Sequence, residues 1–210
     1  MSTLIAIPAM DMVHTQFMTS LIGLRHGAND PIATTQATVI HTARDVLAKQ
    51  AIEHGCERIM WLDSDMQFRS DIMERLAADL DEGYEMVSAL YFGRRTPYVP
   101  IIFEKIEYDE ESGDDEGITH VYHRYPENGI FEIAGCGFGA CMMTTKLLAR
   151  VMQKFKRPFH PVHGLGEDLA FCWRAAQVGA HIYCDSRIKV NHIGMHSYNE
   201  DDYFNAKQTE

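Results

Sequence analysis

Ile59-Met60-Trp61-Leu62 is a run of four consecutive apolar residues that passes directly into Asp63-Ser64-Asp65. The run is too short for a helix and follows a helix-ending Gly55, so it reads as a strand of a parallel sheet buried on both faces. In an open α/β sheet, ligands gather at the carboxyl ends of the strands. This strand therefore delivers Asp63 and Asp65 to the mouth of a site. Residues two apart in an extended segment point the same way, so the two carboxylates are expected to converge on one cation, or on a cation and a sugar hydroxyl. An isolated Asp-x-Asp is equally at home in a solvated turn. The buried strand in front of it favours the site.

Around this stretch the chain alternates strand and helix. Leu4-Ile5-Ala6-Ile7, ended by Pro8, is a first buried strand. A candidate ligand loop from Ala9 to His14 follows, then a helical face through Val13, Phe17, Leu21 and Leu24. No second strand stands out between Leu24 and Thr35. Thr35 to His54 carries Ile40, Ala43, Leu47 and Ala51 on one stripe with Gly55 as its stop, which predicts a helix. Arg44 beside that stripe is either a solvated helix residue or, if the helix faces the site, a group that reaches a diphosphate. Ser70 reads as the N-cap of a helix through Ile72, Leu76 and Leu80 that stops at Gly83, and Met86 to Tyr91 is the next strand. This alternation predicts an α/β fold: a central, mostly parallel sheet with helices on both faces, in which Leu4–Ile7, Ile59–Leu62 and Met86–Tyr91 are neighbours.

After Phe92 the pattern changes. Gly93-Arg94-Arg95-Thr96-Pro97 is a turn-rich basic patch. Val99 to Ile106, Ile118 to Tyr125 and Gly129 to Ala134 read as a small antiparallel addition, and the acid run 107–117 reads as an exposed, mobile hairpin tip because it lacks the spacing of a calcium loop. Gly135-Cys136-Gly137-Phe138-Gly139-Ala140 lacks the third glycine of a dinucleotide fingerprint, so its glycines are read as places of close backbone packing or acceptor approach. Thr144 to Phe155 is an amphipathic helix. A loop with His160 and His163, lid-like in composition, precedes Gly166-Glu167-Asp168, which opens a helix that stops at Gly179. Acids in a first turn are common because they complement the helix dipole. A strand at His181–Cys184, a second short apolar run ending at His192 and a polar, frayed tail complete the chain, giving one domain over residues 4–194 and a tail over 195–210.

Composition narrows the function. A formal net charge of −11 over 210 residues argues against a sequence-independent grip on nucleic acid, which needs clustered Lys and Arg. The cysteines number five, an odd count without a C-x-x-C pair, so the expectation is reduced thiols in the cytoplasm. No apolar run approaches a membrane span, and no signal pattern opens the chain.

The strand-end Asp63/Asp65, Glu167-Asp168 at a helix start and the later His192 form a more specific set than any one of them. With these residues the chain resembles the glycosyltransferases of the nucleotide-diphospho-sugar transferase fold, GT-A, and most closely its family 2-like members. The matching stretches are Ile5-Ala6-Ile7-Pro8, Trp61-Leu62-Asp63-Ser64-Asp65-Met66, and Gly166-Glu167-Asp168-Leu169-Ala170-Phe171-Cys172-Trp173-Arg174-Ala175 through Gly179 to His192. The resemblance implies a single GT-A-like domain that moves a sugar from a nucleotide-diphosphate sugar, with UDP favoured, to an acceptor hydroxyl on a glycan, a lipid-linked molecule, a protein or another compound.

The resemblance also assigns roles. By it Asp63 sits on the ribose or a metal-bound water, and Pro8 and Ala9 of the candidate ligand loop, Asp65 and, if its helix faces the site, Arg44 are expected to join it on the donor. Asp65 is the direct metal ligand and His192 the second, so that Asp63, Asp65 and His192 make up the metal set. Carboxylate, imidazole and phosphate oxygens together suit Mn2+, with Mg2+ as the harder alternative. In inverting members, the outcome favoured here, the acid of the Glu-Asp motif takes the acceptor proton, which makes Asp168 the base and Glu167 its substitute. Two other classes are weighed against this. A sugar-phosphate nucleotidyltransferase shares the fold but would carry a glycine-rich basic loop near the N-terminus, where residues 8–20 offer only His14. A non-catalytic nucleotide-sugar-binding module would need no candidate base.

Overall fold

The computed structural model describes residues 1–36, 38–107 and 117–195. The first half runs β1 (Thr3–Pro8), α1 (Thr15–Ile22), β2 (Ile32–Thr35), α2 (Ile40–Glu53), β3 (Arg58–Leu62), β4 (Met66–Gln67), α3 (Ile72–Asp81) and β5 (Met86–Leu90). The second half runs β6 (Ile102–Glu107), β7 (Ile118–Val121), β8 (Ile130–Ile133), β9 (Gly135–Cys136), β10 (Ala140–Thr144), α4 (Thr145–Phe155), α5 (Glu167–Ala176), β11 (Ile182–Lys189) and β12 (Asn191–His192).

Seven strands form the central sheet in the order β2-β1-β3-β10-β5-β11-β8. β2, β1 and β3 run parallel, as do β5 and β11, whereas β10 is antiparallel to both its neighbours and β8 is antiparallel to β11. The continuous apolar runs follow from cover on both faces. Leu4, Ala6, Ile59, Trp61, Met86, Leu90, Cys141 and Met143 pack on one side against α2, α4 and α5. Their alternates Ile5, Ile7, Met60, Leu62, Val87, Ala89 and Met142 pack on the other side with Phe17 of α1 and Leu76 of α3. The period of two in side-chain direction thus splits each strand between two cores. A three-stranded antiparallel sheet, β7-β6-β9, and the pair β12-β4 complete the α/β fold.

Three expectations are corrected. Ile59–Leu62 and Met86–Leu90 are not neighbours, because β10 lies between them, with Ala140 opposite Leu62 and Cys141 opposite Ser88. Its residues Ala140-Cys141-Met142-Met143 include no β-branched or aromatic side chain and follow directly on the glycine run, so the sequence marks no strand there. A second strand does exist: β2 pairs with β1 from Ile5↔Ile32 to Pro8↔Thr35. Its four residues are only partly covered, so no continuous apolar run marks it. Helix α2 accordingly starts at Ile40 rather than Thr35, and α3 is capped at Asp71 rather than Ser70. The glycine stops hold, since Gly55 and Gly179 adopt φ of 67° and 73°, values that favour a residue without Cβ. The acid run at 108–116 and the tail from residue 196 lie outside the described residues.

α3 is tied to β11 through acids. Asp79 is 4% exposed and Asp185 is 2% exposed. Arg187 donates to both oxygens of Asp185, at 2.8 and 3.0 Å, and lies 3.5 Å from Asp79. Burial first, and then the charge of Asp185, push the Asp79 carboxyl up to about 6, with Arg187 opposing. A carboxyl whose folded pKa is raised contributes stability below its unfolded pKa of about 4, and loses it as the pH climbs through the folded value. Asp79→Asn is therefore expected to gain roughly 1 kcal/mol over the parent at pH 8 and little at pH 4.5. Thermal melts at the two pH values measure this, and an equal or reversed shift would refute it.

Candidate active site

β3 ends at Leu62, and the chain turns at once. The Asp63 amide donates to the Gly139 carbonyl at 3.0 Å, and the Met66 amide donates back to the Asp63 carbonyl at 3.1 Å. Asp63-Ser64-Asp65 is therefore a tight turn at the carboxyl edge of the sheet. Two other segments close on it. The His14 amide donates to the Ser64 carbonyl at 3.2 Å, which lays the loop after β1 across the turn, and the Ile193 amide donates to the Asp65 carbonyl at 2.7 Å. β12 pairs with β4, His192 opposite Met66. Residues about 125 apart in sequence are thus held on one turn by backbone alone.

The two aspartates take different partners. Asp63 Oδ1 accepts from Arg44 Nη2 at 2.9 Å, while Asp65 Oδ2 lies 2.8 Å from Arg94 Nη1 and 3.4 Å from His192 Nε2. Asp63, Asp65 and His192 are not drawn together at one point: among the described residues no three His, Cys, Asp or Glu side chains group to hold a metal. The cause is the turn, which breaks the extended i, i+2 alignment, together with the pull of Arg44 on Asp63. For Asp65, burial pushes the carboxyl up, but His192 and Arg94 together hold it below the usual carboxylate range.

Arg44 is not a solvated helix residue. It is 1% exposed. Besides Asp63 it reaches Glu167 Oε1, 3.4 Å from its Nε. Its guanidinium carbon lies 5.4 Å from the Trp61 ring centroid and 5.3 Å from that of Phe138. The third nitrogen, Nη1, is buried without a hydrogen-bond partner among the described residues, and the two ring faces are what it has in place of water. Burial disfavours the charge, yet the charges of Asp63 and Glu167 outweigh it and keep the pKa raised. Arg44 joins α2, the end of β3 and the start of α5 in one buried ion-pair bridge.

Asp168 stands beside this bridge in the first turn of α5. Its Oδ1 accepts from the Leu169 amide at 2.8 Å. Burial and then the charge of Glu167 push its carboxyl up to about 6, with Arg44 opposing. That is a value suited to a base near neutral pH.

His192 is oriented from two sides. Its Nδ1 donates to the Phe92 carbonyl at 3.0 Å, which turns Nε2 toward Asp65. A backbone carbonyl behind one nitrogen is the usual support of a histidine that binds metal through the other. The ring of Tyr91 meets the imidazole edge-on at 5.5 Å. The Tyr91 hydroxyl accepts from the Gly139 amide at 3.2 Å. A Cβ at Gly137 would fall 2.0 Å from that hydroxyl oxygen, so the glycine run clears space for the tyrosine that backs His192. Tyr91, Phe138 and Arg94 were not assigned site roles from sequence, although Arg94 belongs to the basic patch noted there.

Pro8 closes β1 opposite Thr35, and Ala9 opens the loop laid over Ser64. In the loop before α5, His160 packs edge-on against His41 with centroids 5.1 Å apart, and His163 packs on Trp173 at 5.3 Å. Arg174 holds this loop through the carbonyls of Pro158 and His160, at 2.9 and 2.6 Å.

No protein-family model and no curated protein matches the chain. Solved structures do. The crystal structure of A197 from STIV superposes with a TM-score of 0.67 at 20% identity, over 93% of this chain and 87% of that one. That of GalNAc-T7 with UDP, GalNAc and Mn2+ superposes with a TM-score of 0.62 at 10% identity, over 92% of this chain and 44% of that one. The chain therefore has a GT-A-like fold, shared with a glycosyltransferase.

Arg44→Met should leave Asp63 and Glu167 unpaired at the mouth. The expected cost is roughly 3 kcal/mol in urea denaturation, as for other ion pairs broken at a buried partner. Because Arg44 holds the Asp168 carboxyl down, carboxyl titration by NMR should also find that group moved upward. A variant with parental stability and an unmoved Asp168 would show that the bridge carries no weight.

Proposed function

We propose that the chain is a metal-dependent glycosyltransferase that moves a sugar from a nucleotide-diphosphate sugar, with a UDP-sugar first, to an acceptor hydroxyl. The observation that carries this reading is the single turn with Asp65 and a correctly oriented His192 at one end and, past the Arg44 bridge, a carboxyl raised to about 6 at the other. One end has the donor chemistry for a divalent cation and the other has a base. The GT-A-like fold supports the reading.

In this reading Asp65 Oδ2 and His192 Nε2 would hold Mn2+, or Mg2+ less readily, and donor phosphates and water would complete the shell. When bound, the cation neutralises charge that grows on the leaving diphosphate. Asp63, with one oxygen fixed by Arg44, turns its remaining edge to the donor ribose. Pro8 and Ala9 border the nucleoside, near the Thr35 hydroxyl, which is buried without a partner among the described residues. Asp168 accepts the proton of the acceptor hydroxyl as it attacks the sugar carbon. Glu167 is pinned by Arg44 and serves to position Asp168 and keep its pKa high. Among the described residues no helix is long and apolar enough to cross a membrane, and all five cysteines are free and buried. A cytoplasmic enzyme fits that picture.

Calorimetry with UDP and Mn2+ tests the metal end. Asp65→Ala should lose the metal-dependent part of UDP binding while keeping its fold, and unchanged metal-dependent affinity would reject the assignment. A thermal-shift panel of UDP-, GDP- and dTDP-sugars with Mn2+ identifies the donor, since ligand at a hundred times its dissociation constant adds about 2.7 kcal/mol. Silence across the panel would favour a protein that binds no nucleotide sugar.

Asp168→Asn tests the base. It preserves shape but accepts no proton at neutral pH. Donor binding is expected to stay near normal, while sugar transfer or donor hydrolysis, read as UDP release, falls on the order of 10²- to 10⁴-fold. The parent rate should rise with pH through about 6, where Asp168 loses its proton, and then level off. Near-parental turnover in the variant would remove Asp168 from the role.

A further inference from the structure

Asp65 already has a cation. Its Oδ2 lies 2.8 Å from Arg94 Nη1, closer than the 3.4 Å to His192 Nε2. The Arg94 guanidinium also donates from Nη1 to the Ile193 carbonyl at 3.1 Å, so it clasps the acid and the segment just after His192 together. This arginine differs in kind from Arg44. Its side chain is 46% exposed, and it sits on the turn after Phe92 rather than on a helix or strand. Its stem lies over Gly194, where a Cβ would meet Arg94 Cδ at 3.1 Å. A cavity of about 430 Å³ opens beside it, lined among others by Phe92, Tyr98, Asn191 and His192. The guanidinium has both a partner to leave and a space to enter.

Any cation taken up by Asp65 Oδ2 and His192 Nε2 competes with Arg94 for the same oxygen. We propose that Arg94 is a resident counter-ion of Asp65, a positioning residue that a divalent metal displaces and that, once displaced, turns into the adjoining cavity to meet the anionic diphosphate of the donor. This rests on the reading of Asp65 and His192 as metal ligands. Its consequence is order: metal alone must break the Arg94 pair without compensation, whereas metal arriving with a nucleoside diphosphate gives the freed guanidinium a new anion. Metal and diphosphate then strengthen each other's binding by the same factor, as linkage requires.

The test is Mn2+ affinity, read from the electron paramagnetic resonance signal of free Mn2+, with and without UDP. Arg94→Gln should bind Mn2+ alone about tenfold more tightly than the parent, the worth of one charge-assisted contact, and should lose a similar factor of Mn2+–UDP coupling. Arg94→Lys keeps the charge and should stay near the parent. Gly194→Val crowds the arginine stem without removing its charge and should move Mn2+ affinity in the direction of Arg94→Gln. Adding Asp65→Asn to Arg94→Gln should erase the gain. If Arg94→Gln binds Mn2+ no better than the parent while UDP-dependent Mn2+ binding persists, Arg94 is only a clip on the loop and the proposal fails. If no form takes up Mn2+ with or without UDP, the metal reading fails first and takes this proposal with it.

Discussion

The buried guanidinium of Arg44 is the interaction on which the site's geometry depends. It comes from α2, on the layer that covers β1 and β3, and reaches the first residue of the turn and the first residue of α5. Without a cation there, Asp63, Glu167 and Asp168 would face one another in a space that water enters poorly, and each would be driven to protonate or to move apart. With it, Asp63 and Glu167 are held at fixed places, and burial, with the charge of Glu167 added, lifts the Asp168 carboxyl to about 6. One buried charge therefore supports the fold and tunes the neighbouring acid. The faces of Trp61 and Phe138 make its burial tolerable.

A second constraint sets the other end of the turn. β10 runs antiparallel between β3 and β5, and the chain enters it through Gly137-Phe138-Gly139 at the carboxyl edge of the sheet. Phe138 closes the box around Arg44, while the two glycines admit Tyr91, whose ring stands against His192. The inserted strand thus supplies the packing behind both ends. A side chain at Gly137 would collide with the Tyr91 hydroxyl and, through it, disturb the imidazole.

What could be read in advance follows from the range of the interactions involved. β3 and its two aspartates were legible because a strand buried on both faces is a continuous apolar run that ends where its side chains become acids. The glycine stops were legible because a left-handed residue after a helix is a local requirement. β10 was not, since Ala140 to Met143 bring no β-branched or aromatic side chain and follow a glycine run, and β2 was not, since its four residues are only partly covered. Asp168 beside the mouth, and His192 on the Asp65 turn, came from resemblance rather than spacing. The pairing of Arg44 with Asp63 and Glu167, and of Arg94 with Asp65, had no sequence signal, because a long side chain chooses its partner from whatever the fold brings near.

The charge balance at the mouth connects these parts to the proposed chemistry. Asp63, Asp65, Glu167 and Asp168 are acids, whereas the cations paired with them are Arg44 and Arg94. The whole chain carries a formal charge of −11. A nucleoside diphosphate approaching such a surface is repelled unless positive charge travels with it or is released to it. Arg44 is buried and already paired with Asp63 and Glu167. Arg94 is half exposed, next to an open cavity, and bound to Asp65, the acid proposed as the metal ligand. On the proposed reading, a divalent ion entering at Asp65 changes the sign of the site twice: once by its own charge, and again by freeing a guanidinium for the phosphates.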